Sequence, residues 1–350
     1  MYYQNLGVDV SAKTLQVCLK VRRADGQIKI KGSRKFPNTQ KGFTALVSWV
    51  TKKRIVDQPM RVTMEATGVY YESLAYYLHD QQWEVFVLLP NRIKGYFKFL
   101  NLKSKTDKIE ANALAELGIN QSLPLWEPAS PVMYTLKRLS RERNTLVDEK
   151  TVIANRLHAE KACKAPNGST MSRLKQMIKL LNKQIKQVEQ EMEQYIQQDP
   201  LLKQQLDNIC QVKGLGWLTV ISVIAETNGF KLIQHKSQLV SYAGYDVVER
   251  QSGSSVNGKT KISKKGNRHI RRALHFPALS VVKYHQEFKQ LHKRIVEKTQ
   301  IKMKGYTAVQ RKLLVLIYTL YKKKQAYDPN YFKNMENQKN RQGTMPAYTG

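Results

Sequence analysis

Two sets of residues have the types and spacing that phosphate chemistry needs. The first is the stretch 245–258, read as a loop, which holds Ser252, Ser254 and Ser255 with Gly253 and Gly258 among them. A basic run follows it: Lys259, Lys261, Lys264, Lys265, Arg268, Arg271 and Arg272, with no acid among them. A serine hydroxyl beside that much positive charge could attack or grip a phosphate. Glycine lets a backbone come close to a ligand, and Lys and Arg neutralise phosphate charge, Arg with a two-pronged geometry. The same residues also describe a generic nucleic-acid-binding surface, and residue types alone leave both readings open. The second set is acidic. Asp9 interrupts an apolar run, where burial without a partner is costly. Glu65 closes another such run. Asp107 and Glu110 are three apart at the start of a helical pattern and share a face. Each acid also has a plain structural explanation. Glu65 could mark a helix start, Asp107 could be a first-turn acid favoured by the helix dipole, and Glu110 could be a solvated residue.

The elements that must position these groups follow from periodicity. Residues 5–10 read as a buried strand, 14–22 and 27–36 as two more, with Asp25-Gly26 as the hairpin turn between the latter pair. Residues 40–53 carry Phe43, Leu46, Val47 and Val50 on one helical face. A fourth strand spans 60–65, a helix 69–80, a fifth strand 83–89, and helices 91–99 and 107–118. Three meandering strands followed by alternating helix and strand describe a mixed α/β domain. That order is also ribonuclease H-like, and in such a fold four carboxylates from separate elements could converge at one end of the sheet. A cluster of that kind repels itself unless a divalent cation sits in it, and hard oxygen ligands point to Mg2+ or Mn2+.

Residues 119–130, with two prolines, read as a connector. Two long amphipathic helices, 131–163 and 170–197, are broken by Ala165-Pro166-Asn167-Gly168 and predict a helical hairpin or coiled coil, or else a simple spacer. Residues 206–228 read as a helix-hairpin-helix in which Gly214 and Gly216 could offer backbone N–H groups to a DNA phosphate, although a tight interhelix turn explains them as well. A short helix at 236–243, a basic then apolar helix at 266–285 and a last helix at 306–324 complete the ordered chain. The polar stretch 329–350 is expected to fray.

The 350 residues leave room for two or three domains. At 41% hydrophobic content the chain can build real cores. Its formal net charge of +32, from 59 Lys and Arg against 27 Asp and Glu, predicts salt-dependent affinity for a polyanion. A membrane surface is the other polyanion, but no apolar run reaches about 18 residues, and no signal peptide is recognisable. Cys18, Cys163 and Cys210 form no CxxC pair and no zinc spacing, which predicts a reducing cytoplasm.

The series GVDVSAKTLQV, MEATGVY, KTDKIEA, GLGWLTVISVIAE and ERQSGSSVNGKTKISKKGNRHIRRAL resembles the DEDD-type insertion-sequence transposases. These are relatives of the Piv/MooV site-specific invertases and bridge-RNA-guided recombinases. The resemblance runs from about residue 5 to 325. It implies a fold of class α/β plus α: an N-terminal RuvC/RNase H-like mixed-sheet domain (1–125), a helical coiled-coil middle (126–203), a mostly α C-terminal transposase domain with the serine loop (204–328) and a tail (329–350). It implies that Asp9, Glu65, Asp107 and Glu110 are the metal-binding acids. The last is usually Asp in the family and is Glu here. It implies Ser252 as the nucleophile that joins a 5′ phosphate, with Ser254 and Ser255 as further candidates. It further implies DNA target and donor, a structured noncoding guide RNA, and a dimer that becomes a tetramer in synapsis, with the composite site formed between protomers. Two readings compete with it. One is a RuvC-like hydrolytic nuclease acting on branched DNA, and the other a non-catalytic nucleic-acid-binding scaffold.

Overall fold

The computed structural model describes residues 4–66, 68–231, 233–252 and 256–328. The chain divides into two compact units, Met1–Pro128 and Ala129–Gly350.

The first unit is built on a five-stranded sheet of order β3-β2-β1-β4-β5. β1 (Gln4–Val10), β2 (Thr14–Arg22) and β3 (Ile28–Pro37) form an antiparallel meander. The β2–β3 turn uses Gly26 in the left-handed region, and Asp25 accepts from the Gln27 amide at 2.8 Å. β4 (Arg61–Glu65) and β5 (Glu84–Leu88) add in parallel on the other side of β1. This is the strand order expected of a ribonuclease H-like domain. The pleat divides β1 between two layers. Leu6, Val8 and Val10 share a core with Phe43, Leu46 and Val50 of α1 (Gln40–Thr51) and with Leu74 and Leu78 of α2 (Glu72–Asp80). Asn5 and Gly7 point to the opposite face, against α4 (Asp107–Asn120). α3 (Pro90–Phe99) follows β5 directly, with Pro90 in its first turn. α2 starts at Glu72 rather than 69, because the chain first turns through Gly68 in the left-handed region.

In the second unit α5 (Pro131–Ala162) and α6 (Gly168–Gln197) run antiparallel. Arg143 meets Glu189 at 2.6 Å and Lys150 donates to Asn182 at 3.2 Å. Met133, Leu136 and Leu139 at the base of this hairpin join Met192 and Ile196 in one core that continues into the later helices. Those are α7 (Pro200–Cys210), α8 (Trp217–Glu226), α9 (Lys236–Ala243), α10 (Arg268–Ala273), α11 (His275–Tyr284), α12 (Gln286–Thr299) and α13 (Lys302–Lys323).

Three features depart from the sequence reading. The stretch read as a serine loop contains a hairpin, with β6 (Val247–Ser252) paired antiparallel to β7 (Val256–Ile262). Val247, Val248, Val256 and Ile262 supply the β-branched residues that favour it. The single helix read at 266–285 is two helices. Pro277 has no N–H to bond the Ala273 carbonyl, and that carbonyl accepts from Thr219 Oγ1 at 3.3 Å instead. The third departure is α12, a helix that the sequence reading passes over although Phe288, Leu291 and Ile295 recur at helical spacing; its buried Phe288 is set in a heavily charged stretch. The stretch 329–350 lies outside the described residues.

Candidate active site

β1 and β4 are parallel, with Val8 opposite Met64, so Asp9 and Glu65 follow side by side at the same end of adjacent strands. In a parallel pair, residues in register point to the same face, here the face that α4 covers.

The placement of α4 brings in the other two acids. Its N-cap Thr106 accepts from the Ile109 amide at 3.3 Å, and Asp107 and Glu110 occupy its first turn, where the helix dipole favours acids. Three contacts fix the helix along β1 and β4. Asn5 Nδ2 donates to the Ala115 carbonyl at 3.0 Å, and Arg61 donates to the Gly118 carbonyl. Gly7 lies so close beneath the helix that a methyl group there would collide with Ala111 O and Ala115 N. Passing from Asn5 to Gly7 to Asp9 therefore leads back along α4 to its acidic first turn.

The electrostatics agree with that geometry. Burial pushes the Asp9 carboxyl up to about 6, and the charges of Glu110, Asp107 and Glu65 add to the rise, against Lys105. Burial also raises Glu65, with Glu110 adding to it, while Lys105 and Lys94 pull it down. Lys105 Nζ stands 3.5 Å from Glu110 Oε1 on an exposed side chain. Four carboxylates thus share one region with too little positive charge nearby. Their hard oxygen donors and that charge deficit fit a divalent cation of the magnesium or manganese kind. Among the described residues, however, no three Asp, Glu, His or Cys side chains are arranged to hold a metal ion as they stand.

The serine and basic residues belong to the second unit. Ser252 ends β6, and its backbone is opposite Val256. Its side chain, that of Lys259, and residues 253–255 with Ser254 and Ser255 lie outside the description. Lys261, Lys264, Lys265 and Arg268 are exposed. Arg271 and Arg272 have partners within the fold. Arg271 donates to the Ala243 carbonyl at 2.6 Å, at the end of α9, and Arg272 grips Asp148 of α5 with both terminal nitrogens, one at 2.7 Å. Gly214 turns the chain between α7 and α8 in the left-handed region and packs against Ser280 and Val281 of α11, whereas Gly216 caps α8 beside open space.

One group has no counterpart in the sequence reading. Glu226, buried at the end of α8, accepts from Arg141 Nε at 2.6 Å and Nη2 at 2.9 Å and from Asn267 Nδ2 at 2.7 Å. Burial pushes its carboxyl up, but the Arg141 guanidinium and the Asn267 amide outweigh that and hold it below the usual carboxylate range. Asn267 caps α10, so Glu226 ties the basic helix to α5 and α8. The sequence signal is an acid closing an apolar helix, with its partners 41 and 85 residues away.

Comparison with known proteins bears on both units. Residues 6–160 match a family described as Transposase, of the DEDD type, and residues 206–293 match one described as Transposase IS116/IS110/IS902 family. The chain belongs to the DEDD-type insertion-sequence transposases. The transposase is also similar along most of its length to two pilin gene-inverting proteins. That of Moraxella bovis is 26% identical over 325 residues, covering 92% of this chain and 97% of the relative. That of Moraxella lacunata is 27% identical over 328 residues, with the same shares covered. The transposase is therefore a DNA-recombining enzyme. Among its described residues no helix is long and apolar enough to cross a membrane.

Proposed function

We propose that this transposase cuts and exchanges DNA strands through a covalent link on Ser252, at sites chosen by a structured guide RNA. The observation that carries the reading is the meeting of Asp9 and Glu65 with the first turn of α4. In the proposed step Ser252 Oγ attacks the phosphorus of a DNA phosphodiester. The bond from phosphorus to the 3′ oxygen breaks. The 5′ phosphate stays on the serine, the serine proton is lost, and the leaving oxygen is protonated to a 3′ hydroxyl. The link conserves one phosphoester bond, so strands rejoin without an outside energy source when a 3′ hydroxyl attacks in reverse.

A serine hydroxyl is a weak nucleophile unless activated. When bound, magnesium or manganese would be held by Asp9, Glu65, Asp107 and Glu110 and would neutralise charge on the attacking and leaving oxygens. The half-buried Asp9 carboxylate is central to that set, since burial and its acidic neighbours disfavour its charge unless a cation stands beside it. The serine and the acids would reach one phosphate in a homo-oligomer assembled on DNA. The exposed Lys261, Lys264, Lys265 and Arg268 would hold nucleic-acid backbone, while base pairing to the RNA carries the sequence information.

The test is strand joining with the protein, Mg2+, a candidate guide RNA and labelled target and donor DNA. Ser252→Ala is expected to abolish joining and keep nucleic-acid binding in a gel shift. Full joining by that variant would overturn the reading. Hydrolysed ends that form equally well without Ser252 would replace it with a hydrolytic nuclease.

A further inference from the structure

A cavity of about 400 Å3 opens beside the acids. Glu65 and Glu110 form one end of it. Its apolar wall is Ile93, Phe97 and Leu102, and Lys94, Lys98 and Lys105 stand on its lining.

The sequence builds this cavity through the way α3 ends. Asn101 takes a left-handed conformation. The Leu102 amide then bonds the Phe97 carbonyl at 3.3 Å and the Asn101 amide bonds that of Lys98 at 3.1 Å. That pair of bonds is the Schellman arrangement, which reverses the chain and sets the residue after the turn against the last helical turn. Leu102 is thereby placed on the same wall as Phe97. Lys94 and Lys98 are four apart on α3 and share a face.

Apolar side chains lining a cavity with lysines, at the rim of a carboxylate cluster, with Phe97 half-buried and Leu102 exposed, do not match a purely apolar ligand. They match a group with a flat apolar body and an anionic edge. We infer that this cavity is a subsite for one nucleotide of the DNA strand next to the reacting phosphate, with the base against Phe97 and Leu102 and its backbone phosphate at Lys94 and Lys98. The cavity is of the size that small organic ligands occupy, and stacking on an aromatic ring accepts any base. Lys105, on the same lining and 3.5 Å from Glu110, would hold backbone phosphate where the strand reaches the acids. The inference rests on the DNA-cleaving reading for its choice of DNA over RNA.

The test uses the full chain and single-stranded oligonucleotides carrying 5-iodouracil, one DNA and one RNA, cross-linked by light and mapped by mass spectrometry. The DNA probe is expected to label the peptide around residues 95–103. Phe97→Leu, which keeps an apolar side chain, and Lys98→Gln, an exposed change that leaves the fold intact, should each lose most of that label. Phe97→Leu should weaken single-strand affinity about ten-fold. Labelling confined to other peptides, labelling by the RNA probe alone, or unchanged labelling in both variants would overturn the subsite. Asp9→Asn should label like the parent protein. The subsite therefore stands if labelling is found in a protein that joins no DNA, a result that would count against the catalytic reading alone.

Discussion

Gly7 of β1 lies directly beneath the Ala111 carbonyl of α4, at a separation that leaves no room for a side chain. Asp9 is two residues further along the same face of β1, Glu110 immediately precedes Ala111 and Asp107 is one turn back along α4, so this close approach sets the distance between the acids. Gly7→Ala is expected to push α4 off the sheet and cost about 1–3 kcal/mol, as overpacking does. Thermal melting would show the loss. Strand cleavage should fall more than stability does, because the shift separates Asp9 from Glu110. A variant that melts lower but cleaves as before would mean that the acids tolerate the movement.

Asp9 gives a pH signature. Burial and three neighbouring carboxylates raise its folded-state value to about 6, against an unfolded carboxylate near 4. The folded state therefore binds the proton more tightly than the unfolded state. The contribution to stability is full below about pH 4, declines as pH rises toward 6, and is absent above that. Asp9→Asn should melt higher than the parent at pH 8 without divalent cation, with the difference closing toward pH 4. Adding Mg2+ at pH 8 should raise the melting temperature of the parent and have less effect on Asp9→Asn. Equal melting of the two proteins across the range would remove the case for a charge-starved cluster.

The basic run divides by partner. Lys264 and Lys265 are exposed, whereas Arg272 is held on Asp148. Changing both lysines to Gln should reduce the slope of log affinity against log salt by about 2 for duplex DNA, near 0.9 for each phosphate that is no longer neutralised. Arg272→Gln should leave the slope close to that of the parent. A reduced slope in Arg272→Gln would show that the arginine leaves Asp148 when DNA binds.

Glu226 should respond as a buried charge does when its partner is removed. Arg141→Ala removes both guanidinium bonds to that carboxylate, and is expected to cost about 3 kcal/mol in chemical denaturation. Arg141→Ala combined with Glu226→Gln should recover part of that stability. The exposed Arg272–Asp148 pair should be worth less than about 1 kcal/mol by the same measurement. If the two pairs proved equal, Glu226 would not be the anchor of α10.

The sheet of the first unit is legible in the sequence, because its strands alternate or run apolar between clear turns and α1, α2 and α3 keep a 3.6-residue period. The convergence of the acids is only half legible. Asp9 and Glu65 announce themselves as charges in apolar runs, but what brings α4 to them is Gly7, and a glycine in a strand reads as a weak point rather than as a place where a helix docks. In the second unit the break at Pro277 is visible as a proline inside a helical pattern, yet the apolar residues on both sides conceal it. α12 escapes notice because its charged residues outnumber the few that pack. The Glu226 network is illegible for a different reason: sequence spacing carries nothing about partners that the fold brings together from three helices.

The most direct measurement is a denaturing gel of the protein incubated with Mg2+, guide RNA and a labelled DNA target nicked near the exchange site. A DNA-linked protein band is expected, absent in Ser252→Ala and also absent in Asp9→Ala, with both variants folded and still binding DNA. Cleaved DNA with no linked band, or a linked band that persists in Ser252→Ala, would contradict the proposed covalent link on Ser252.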